Sequence, residues 1–181
     1  MLTWLRQRRS TDRIARALYG SSVTAARAPA LYRDLGVPDT LAGRFEMVVL
    51  HTFLLMHRLS AEGPRGRAVA QTLAEAMIEQ FDDDMRQLGV SDITVPKKIR
   101  KVASAAYGRF EAYAAAVESR DGAALTAALL RNAFDNDQSS TAAAETLARW
   151  IIDRVTDLSQ LPAEGLLRGE AALPGFTGGQ T

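Results

Sequence analysis

The stretch from Leu41 to Leu59 constrains the fold of this chain more than any other part of the sequence. On a helical wheel at 100° per residue, its apolar side chains cover nearly the whole circumference. Such a helix is stable only when other helices surround it, because water would otherwise contact apolar side chains on several sides. We therefore predict a central helix, capped by Asp39 or Thr40, in an all-α domain. Its apolar positions are Leu41, Phe45, Val48, Val49, Leu50, Phe53, Leu54, Leu55, Met56 and Leu59.

Length and composition set the scale of that domain. The chain has 181 residues, of which 47% are hydrophobic and 24% charged, as is usual for globular proteins. Val, Ile and Thr never alternate over a strand length, whereas Ala, Leu, Arg and Glu dominate, so we predict helices throughout. We expect a single-domain bundle of about six helices over residues 10–160. A flexible basic segment at 1–9 precedes it, and a mostly irregular tail at 161–181 follows it.

Capping residues and helix breakers predict where the helices begin and end. Ser10 or Thr11 is expected to cap the first helix, Pro64 to begin the third and Pro96 to begin the fourth. Gly89 suits the position just after the third helix. The predicted starts of the last two helices lie at Asp121–Gly122 and in 137–140. The predicted ends lie near Arg27, Ala61, Leu88, Ser119, Phe134 and Leu158, with a short element between Pro29 and Gly36.

Several kinds of chemistry have no support in the sequence. The absence of cysteine excludes disulfides, thiolate zinc sites and cysteine nucleophiles. His51 and His57 are the only histidines, and they lie about 120° apart on the wheel, so they do not form a metal-binding pair. No P-loop or Gly-x-Gly-x-x-Gly pattern occurs. These absences leave nucleophilic catalysis without support in the sequence and predict no cofactor, with haem binding through His51 or His57 as an open alternative.

Charge and hydropathy bear on the cellular location of the chain. The net charge of +1 provides no global field for DNA. The longest apolar run, Met47–Met56, is far shorter than the roughly 20 residues that span a bilayer, and no secretory signal follows Met1–Arg9. We therefore expect a cytoplasmic protein. Trp4 beside Arg6, Arg8 and Arg9 would suit a peripheral contact with a membrane surface, although a frayed terminus accounts for the same pattern.

Acidic residues at 82–84 end the predicted third helix. The pair Asp82 and Asp83 would suit a magnesium–diphosphate site in a prenyl-diphosphate enzyme, but such a site needs a second acidic cluster that the sequence does not provide. The alternative is a solvated helix end in which Asp82 pairs with Arg86 at spacing four. Asp84 points into the apolar arc of this helix, so it needs a partner or a place at the helix end.

Basic residues open the fourth predicted helix. Lys97, Lys98, Arg100 and Lys101 cluster at its positively charged N-terminus, and Gly108 lies on the same outer face. A glycine there allows another backbone to come close, which suggests an acidic or phosphate-bearing partner; packing of Gly108 against a neighbouring helix is the alternative. An RNA- or ribosome-binding module also remains open. The opposite, apolar face consists of Ile99, Val102, Ala103, Ala106, Phe110, Tyr113, Ala114 and Val117.

Three stretches carry a family resemblance. The first runs from Gly36-Val37-Pro38-Asp39-Thr40 into Gly43-Arg44-Phe45-Glu46 and His51. The second is Met85-Arg86-Gln87-Leu88-Gly89-Val90-Ser91-Asp92, with Asp82 just before it. The third joins Val95-Pro96-Lys97-Lys98 to Tyr107-Gly108-Arg109 and Tyr113. In this order and spacing they resemble the ubiquinol–cytochrome c chaperone family, the assembly factors of the cytochrome bc1 complex in mitochondria and alphaproteobacteria.

The resemblance implies an all-α chaperone that is not an enzyme and that holds newly made cytochrome b, with a small partner protein and the ribosomal tunnel exit as further contacts. It also implies the bacterial form, peripheral at the inner membrane, or the mitochondrial matrix if the chain is eukaryotic. We expect the hairpin from Arg86 to Tyr113 to contact the client. The alternative contact surface is a groove beside the central helix, lined by Arg44 and His51, which form a polar stripe with Arg58. The predicted hairpin contacts are Arg86, Asp92, Lys97, Lys98, Lys101, Tyr107, Gly108 and Arg109.

Overall fold

A computed structural model describes residues 2–91, 93–170 and 173–177. Within these ranges there are eight α-helices, and the all-α prediction is confirmed. Six helices are long and two are short, with a 3-10 turn at Gln138–Ser140 before α7. The helices are α1 Leu2–Ala26, α2 Pro29–Arg33, α3 Leu41–Ser60, α4 Gly63–Gln87, α5 Val95–Glu118, α6 Gly122–Ala133, α7 Thr141–Gln160 and α8 Ala163–Leu166.

Helix α3 is the central helix that its apolar pattern predicts. It packs against α1, α4, α5, α6 and α7. Its start is fixed by two local contacts: the Thr40 hydroxyl accepts a hydrogen bond from the Gly43 amide at 3.1 Å, and Gly43 lies directly against Pro38. A Cβ at Gly43 would stand 1.9 Å from the Pro38 carbonyl oxygen, so only glycine lets the preceding turn lie this close to the helix.

The predicted start of the first helix is wrong. Helix α1 begins at Leu2, and neither Ser10 nor Thr11 caps it. The Thr11 hydroxyl instead donates to the Gln7 carbonyl oxygen at 3.1 Å, a bond that a threonine makes inside a helix. Residues 2–9 thus continue the helix, and no break in the backbone supports the predicted division at residue 9. The other long helices end within a few residues of the predicted positions.

The C-terminal segment packs onto the bundle although most of it is irregular. Leu166 and Phe176 are buried, and the Phe176 ring lies 5.8 Å from the Trp150 ring of α7. The Arg58 guanidinium donates to the backbone carbonyl oxygens of Leu158 and Leu161, which fastens the end of α7 to α3. Leu166 and Phe176 of the tail therefore contribute to the core.

Candidate functional site

An apolar groove lies between α1, the first half of α3 and the end of α4. Its volume is about 450 Å³. Most of its lining side chains are half-buried, while Leu41 and Leu88 at its edges are 76% and 69% exposed. Concave apolar surfaces of this kind are typical of ligand and partner sites. The lining residues are Tyr19, Val23, Ala26, Arg27, Tyr32, Leu41, Ala42, Arg44, Phe45, Val48, Phe81, Asp84, Met85, Leu88 and Val102.

The groove exists because apolar faces of several helices meet without filling the space between them. Phe81, Met85 and Leu88 follow one another at spacings of four and three on α4, so they share one face. The Phe45 and Phe81 rings pack with their centres 5.0 Å apart. From α5, Val102 completes the wall. The hairpin of α4 and α5 therefore presents its apolar side to the groove.

Charged groups stand at the rim of the groove, and Arg44 and Asp84 among them have hydrogen-bond partners on the protein. Arg44 donates to both carboxylate oxygens of Asp39, at 2.6 and 3.2 Å, and its guanidinium lies 5.8 Å from the centre of the Tyr32 ring. Asp84 accepts a hydrogen bond from Gln80 at 2.9 Å. Burial, together with the nearby Asp84 carboxylate, raises the pKa of Tyr19 to about 12. The structure thus places Arg44 of α3 at the rim of the groove and Asp84 at an open edge of the apolar surface.

His51 does not line this groove, and its prediction as a contact residue is wrong. The side chain is completely buried and packs 5.5 Å from the Trp150 ring. Its Nδ1 lies 2.7 Å from the Met47 carbonyl oxygen, and because a carbonyl only accepts, Nδ1 carries the proton. Burial lowers the pKa of His51 to about 4, so the ring is neutral near pH 7. His51 is therefore excluded as the haem ligand of the open alternative, because haem iron has no access to a fully enclosed ring.

Arg109 is also withdrawn from the surface that the sequence predicts. Its Nε and Nη2 atoms donate to the two carboxylate oxygens of Glu46, each at 2.5 Å, and Nη1 donates to the Ala105 carbonyl oxygen. Glu46 is only 5% exposed, and burial raises its pKa while the bonds from Arg109 oppose that rise. The guanidinium also lies 5.7 Å from the centre of the Phe45 ring. Arg109 thus ties α5 to α3 beside the groove and is not free for a partner.

The remaining predicted contacts lie on the outer side of the hairpin. Lys97, Lys98, Lys101, Tyr107 and Gly108 are exposed, and helical periodicity puts Lys97, Lys101 and Gly108 opposite the apolar face that holds Val102. A Cβ at Gly108 would meet no described atom within 4 Å, so packing against a neighbouring helix does not account for this glycine. Asp92 lies outside the described residues. The predicted contact set therefore divides into an inner groove and an outer basic face.

The acidic run at the end of α4 is a solvated helix end. Arg86 donates to Asp82 at 2.7 Å, which is the predicted pair at spacing four. In residues 2–91, 93–170 and 173–177, no group of three or more His, Asp or Glu side chains could hold a metal ion. Asp82 and Asp83 thus have no second acidic cluster within those ranges with which to hold magnesium and a diphosphate. No helix in the described chain is long and apolar enough to cross a membrane.

Sequence reasoning predicted a groove beside the central helix, but not the apolar residues that form its walls. It assigned Phe45 and Val48 to a fully enclosed helix, and it gave Phe81 and Met85 no role. One signal was present: Asp84 lies on the apolar arc of α4, where a carboxylate is tolerated only if that face is not fully covered. An acidic residue within an apolar arc near a helix end therefore indicated an open apolar surface.

Comparisons with known proteins agree on one family. The sequence model described as Ubiquinol-cytochrome C chaperone matches residues 33–173. A ubiquinol-cytochrome-c reductase complex assembly factor 1 from Xenopus laevis is 25% identical over 136 residues, covering 75% of this chain and 68% of that protein. The factor of the same name from Drosophila melanogaster is 26% identical over 154 residues, covering 81% of this chain and 58% of that protein.

A solved structure extends the likeness to the fold. The crystal structure of the Cbp3 homolog from Brucella abortus matches with a TM-score of 0.79 and 36% identity, over 93% of this chain and 94% of that one. The chain therefore spans nearly all of this bacterial relative but only part of the animal ones, down to 50% of the human factor. The match also covers α6 and α7, where the sequence resemblance gave no diagnostic residues.

Proposed function

The chain belongs to the ubiquinol-cytochrome C chaperone family, and we propose that it holds newly made cytochrome b while ubiquinol–cytochrome c reductase is assembled. Membership makes the chain an assembly chaperone and not an enzyme, so the prenyl-diphosphate alternative built on Asp82 and Asp83 is wrong. The observation that carries the finer proposal is the groove of about 450 Å³ lined by half-buried apolar side chains.

The chemistry of the groove suits a segment of a membrane protein. Such a segment is apolar on most of its surface, and before assembly it has no neighbouring helix to cover it. An apolar helix can lay side chains at spacings of three and four into a groove of this kind. Phe45, Phe81 and Met85 supply the floor and walls, while Leu41 and Leu88 at the edges would lose their water contact when the segment binds.

The energies are compatible with holding and later release. Fully burying one leucine side chain contributes roughly 1.5–3 kcal/mol. The two exposed edge leucines therefore contribute at most about 6 kcal/mol, and ordering of the client opposes part of that gain. A chaperone of this kind binds without a chemical step, and its client can leave when better contacts form in the assembling complex.

The outer basic face is a second surface, separate from the groove. Lys97, Lys101 and Gly108 lie opposite the centre of the apolar face of α5 and do not line the groove, so one client helix in the groove does not contact them. In this proposal, they face an anionic partner while the groove holds the client. The small partner protein and the ribosome, like a location at the inner membrane, stay predictions of the family resemblance.

Two acidic substitutions at the groove edge test the client proposal. Leu41→Glu with Ala42→Glu places negative charge against the apolar segment, and both positions are exposed in the first turn of α3, where acidic side chains favour the helix. The fold should therefore persist. We expect cytochrome b to be lost from the material that co-purifies with this variant, with unchanged helical circular dichroism.

Leu161→Glu is the matched control, because Leu161 is 51% exposed and does not line the groove. It should retain cytochrome b at the wild-type level. Wild-type retention by the Leu41→Glu, Ala42→Glu protein would remove the groove as the client surface.

A further inference from the structure

We propose that the tip of the α4–α5 hairpin docks on an anionic lipid surface. The hairpin tip consists of Ile93 and the three lysines Lys97, Lys98 and Lys101. Ile93 is 90% exposed, more than any other large apolar side chain in the described chain. The lysines lie within the first two turns of α5, and all three are exposed. One projecting aliphatic side chain beside three cations matches the chemistry of a membrane interface, which has an apolar interior beneath anionic headgroups.

The exposure of Ile93 is built into the turn. The Ser91 carbonyl oxygen accepts from the Thr94 and Val95 amides at 2.8 and 3.0 Å, and the Ser91 hydroxyl accepts from the Ile93 amide at 3.3 Å. Val95, two residues after Ile93, is fully buried and anchors the start of α5. The backbone around Ile93 is therefore held by local hydrogen bonds and by one buried neighbour, and the Ile93 side chain is directed away from the core.

The charge of the hairpin tip is not neutralised within the described protein. Lys97, Lys98 and Lys101 form no ion pair with a described residue. By contrast, Arg44, Arg58 and Arg109 are each bound to a carboxylate. The partial positive charge at the N-terminus of α5 adds to that of the lysines. Three cations that have no ion-pair partner among the described residues therefore present a local positive field, on a chain whose net charge is only +1.

The shape of the tip favours lipid over protein or RNA. Ile93 is 90% exposed and lines none of the three main cavities, so its side chain projects from the surface. Lysine stems can lie along the interface while their ammonium groups stay among the headgroups. An RNA surface would use stacking aromatic rings, and the first aromatic residue of α5 is Tyr107, about 15 Å along the helix from Lys97. An aliphatic side chain gains little on RNA but gains burial in a bilayer.

This surface adds to the proposed function without depending on it. Leu88 at the groove edge is only five residues before Ile93. A hairpin tip on the membrane would therefore keep the groove close to the lipid, where a segment of a membrane protein emerges.

Vesicle flotation tests the proposal. We expect the full chain to float with vesicles of phosphatidylcholine mixed with phosphatidylglycerol and to stay behind with phosphatidylcholine alone. The variant Lys97→Gln, Lys98→Gln, Lys101→Gln should bind the mixed vesicles about a hundredfold more weakly, given roughly fivefold per cation near such a surface. Ile93→Ser should weaken binding about tenfold, because the aliphatic side chain no longer enters the interface.

Three control variants separate lipid binding by the hairpin tip from lipid binding by another surface of the protein. Leu161→Ser removes an exposed leucine elsewhere and should float like the wild type. The Leu41→Glu, Ala42→Glu protein should also float normally, so failure of the groove and failure of the hairpin tip give different results. If the Arg6→Gln, Arg9→Gln protein no longer floats while the lysine variant floats like the wild type, lipid binding belongs to the N-terminal helix and the proposal is overturned.

Two further outcomes would also overturn it. One is equal flotation of wild type and Ile93→Ser. The other is that the wild type does not float at all and instead binds a ribosomal RNA fragment in a salt-sensitive manner. If that RNA binding depends on the lysines and not on Ile93, the basic face binds RNA.

Discussion

The two halves of α3 carry the same apolar pattern, yet the protein covers them differently. In the later part of the helix, residues 49–55 are all buried, with Trp150 of α7 packed on His51 and Tyr113 of α5 packed on Phe53. In the first half, Leu41, Phe45 and Val48 face the groove. A full circle of apolar residues thus identifies a central helix, but it does not distinguish a core contact from a surface kept open for another molecule.

A matched pair of leucine substitutions sharpens this comparison most. Leu50→Ala leaves a cavity in the enclosed half and should lower the free energy of unfolding by about 2–5 kcal/mol. Leu41→Ala in the open half should change it by less than about 0.5 kcal/mol, since that side chain is largely in water already. Urea denaturation of both variants measures the difference. Similar losses at the two positions would contradict an open first half.

The ion pair beside the groove comes next in expected size. Glu46→Ala leaves the Arg109 guanidinium without its carboxylate and should destabilise the fold by about 3 kcal/mol. The double variant Glu46→Leu, Arg109→Met removes both charges and should recover most of that loss. Thermal and urea unfolding of the two proteins tests this. If the single and double variants are equally unstable, the cost comes from lost packing and not from an unpaired charge.

His51 makes the enclosed half sensitive to acid. Its pKa in the folded protein is about 4, whereas an unfolded chain takes up a proton near pH 6.5. The unfolded state therefore binds more protons between these values, and the free energy of unfolding falls as pH drops through this interval, by about 2–3 kcal/mol from this residue. His51→Gln should show a flatter dependence from pH 6.5 to 4. Comparing the two curves cancels the carboxyl groups, including Glu46, that titrate in the same range.

The sequence predicted most of the fold because its signals are local. Thr40 caps α3 and Asp121 caps α6 as expected, each accepting a backbone amide of its own first turn. The start of α1 was missed because Thr11 resembles a cap in sequence, and only its bond to Gln7 shows that the helix is already under way.

The site was harder to predict because its residues come from distant parts of the chain. The sequence predicted Arg109 as a partner contact, because nothing in it shows that a carboxylate oxygen of Glu46 on α3 lies 2.5 Å from the Arg109 guanidinium on α5. On the helical wheel, His51 belongs to a polar stripe with Arg44 and Arg58, but Trp150 of α7 packs on it in the structure. Exposure of Lys97, Lys101 and Gly108 followed from periodicity within one helix, which is information that a single segment does contain.

Gly108 offers the smallest expected change in stability and a separate test of the outer basic face. Gly108→Ala replaces a glycine in mid-helix where a Cβ meets no described atom, so it should stabilise the protein by up to about 1 kcal/mol. A partner backbone that approaches this face closely would meet the added methyl group and bind less well. Loss of a co-purifying protein together with higher stability would assign Gly108 to a close contact. Higher stability with unchanged partners would show that Gly108 makes no close contact with a partner. Binding at this face would then depend on the lysines.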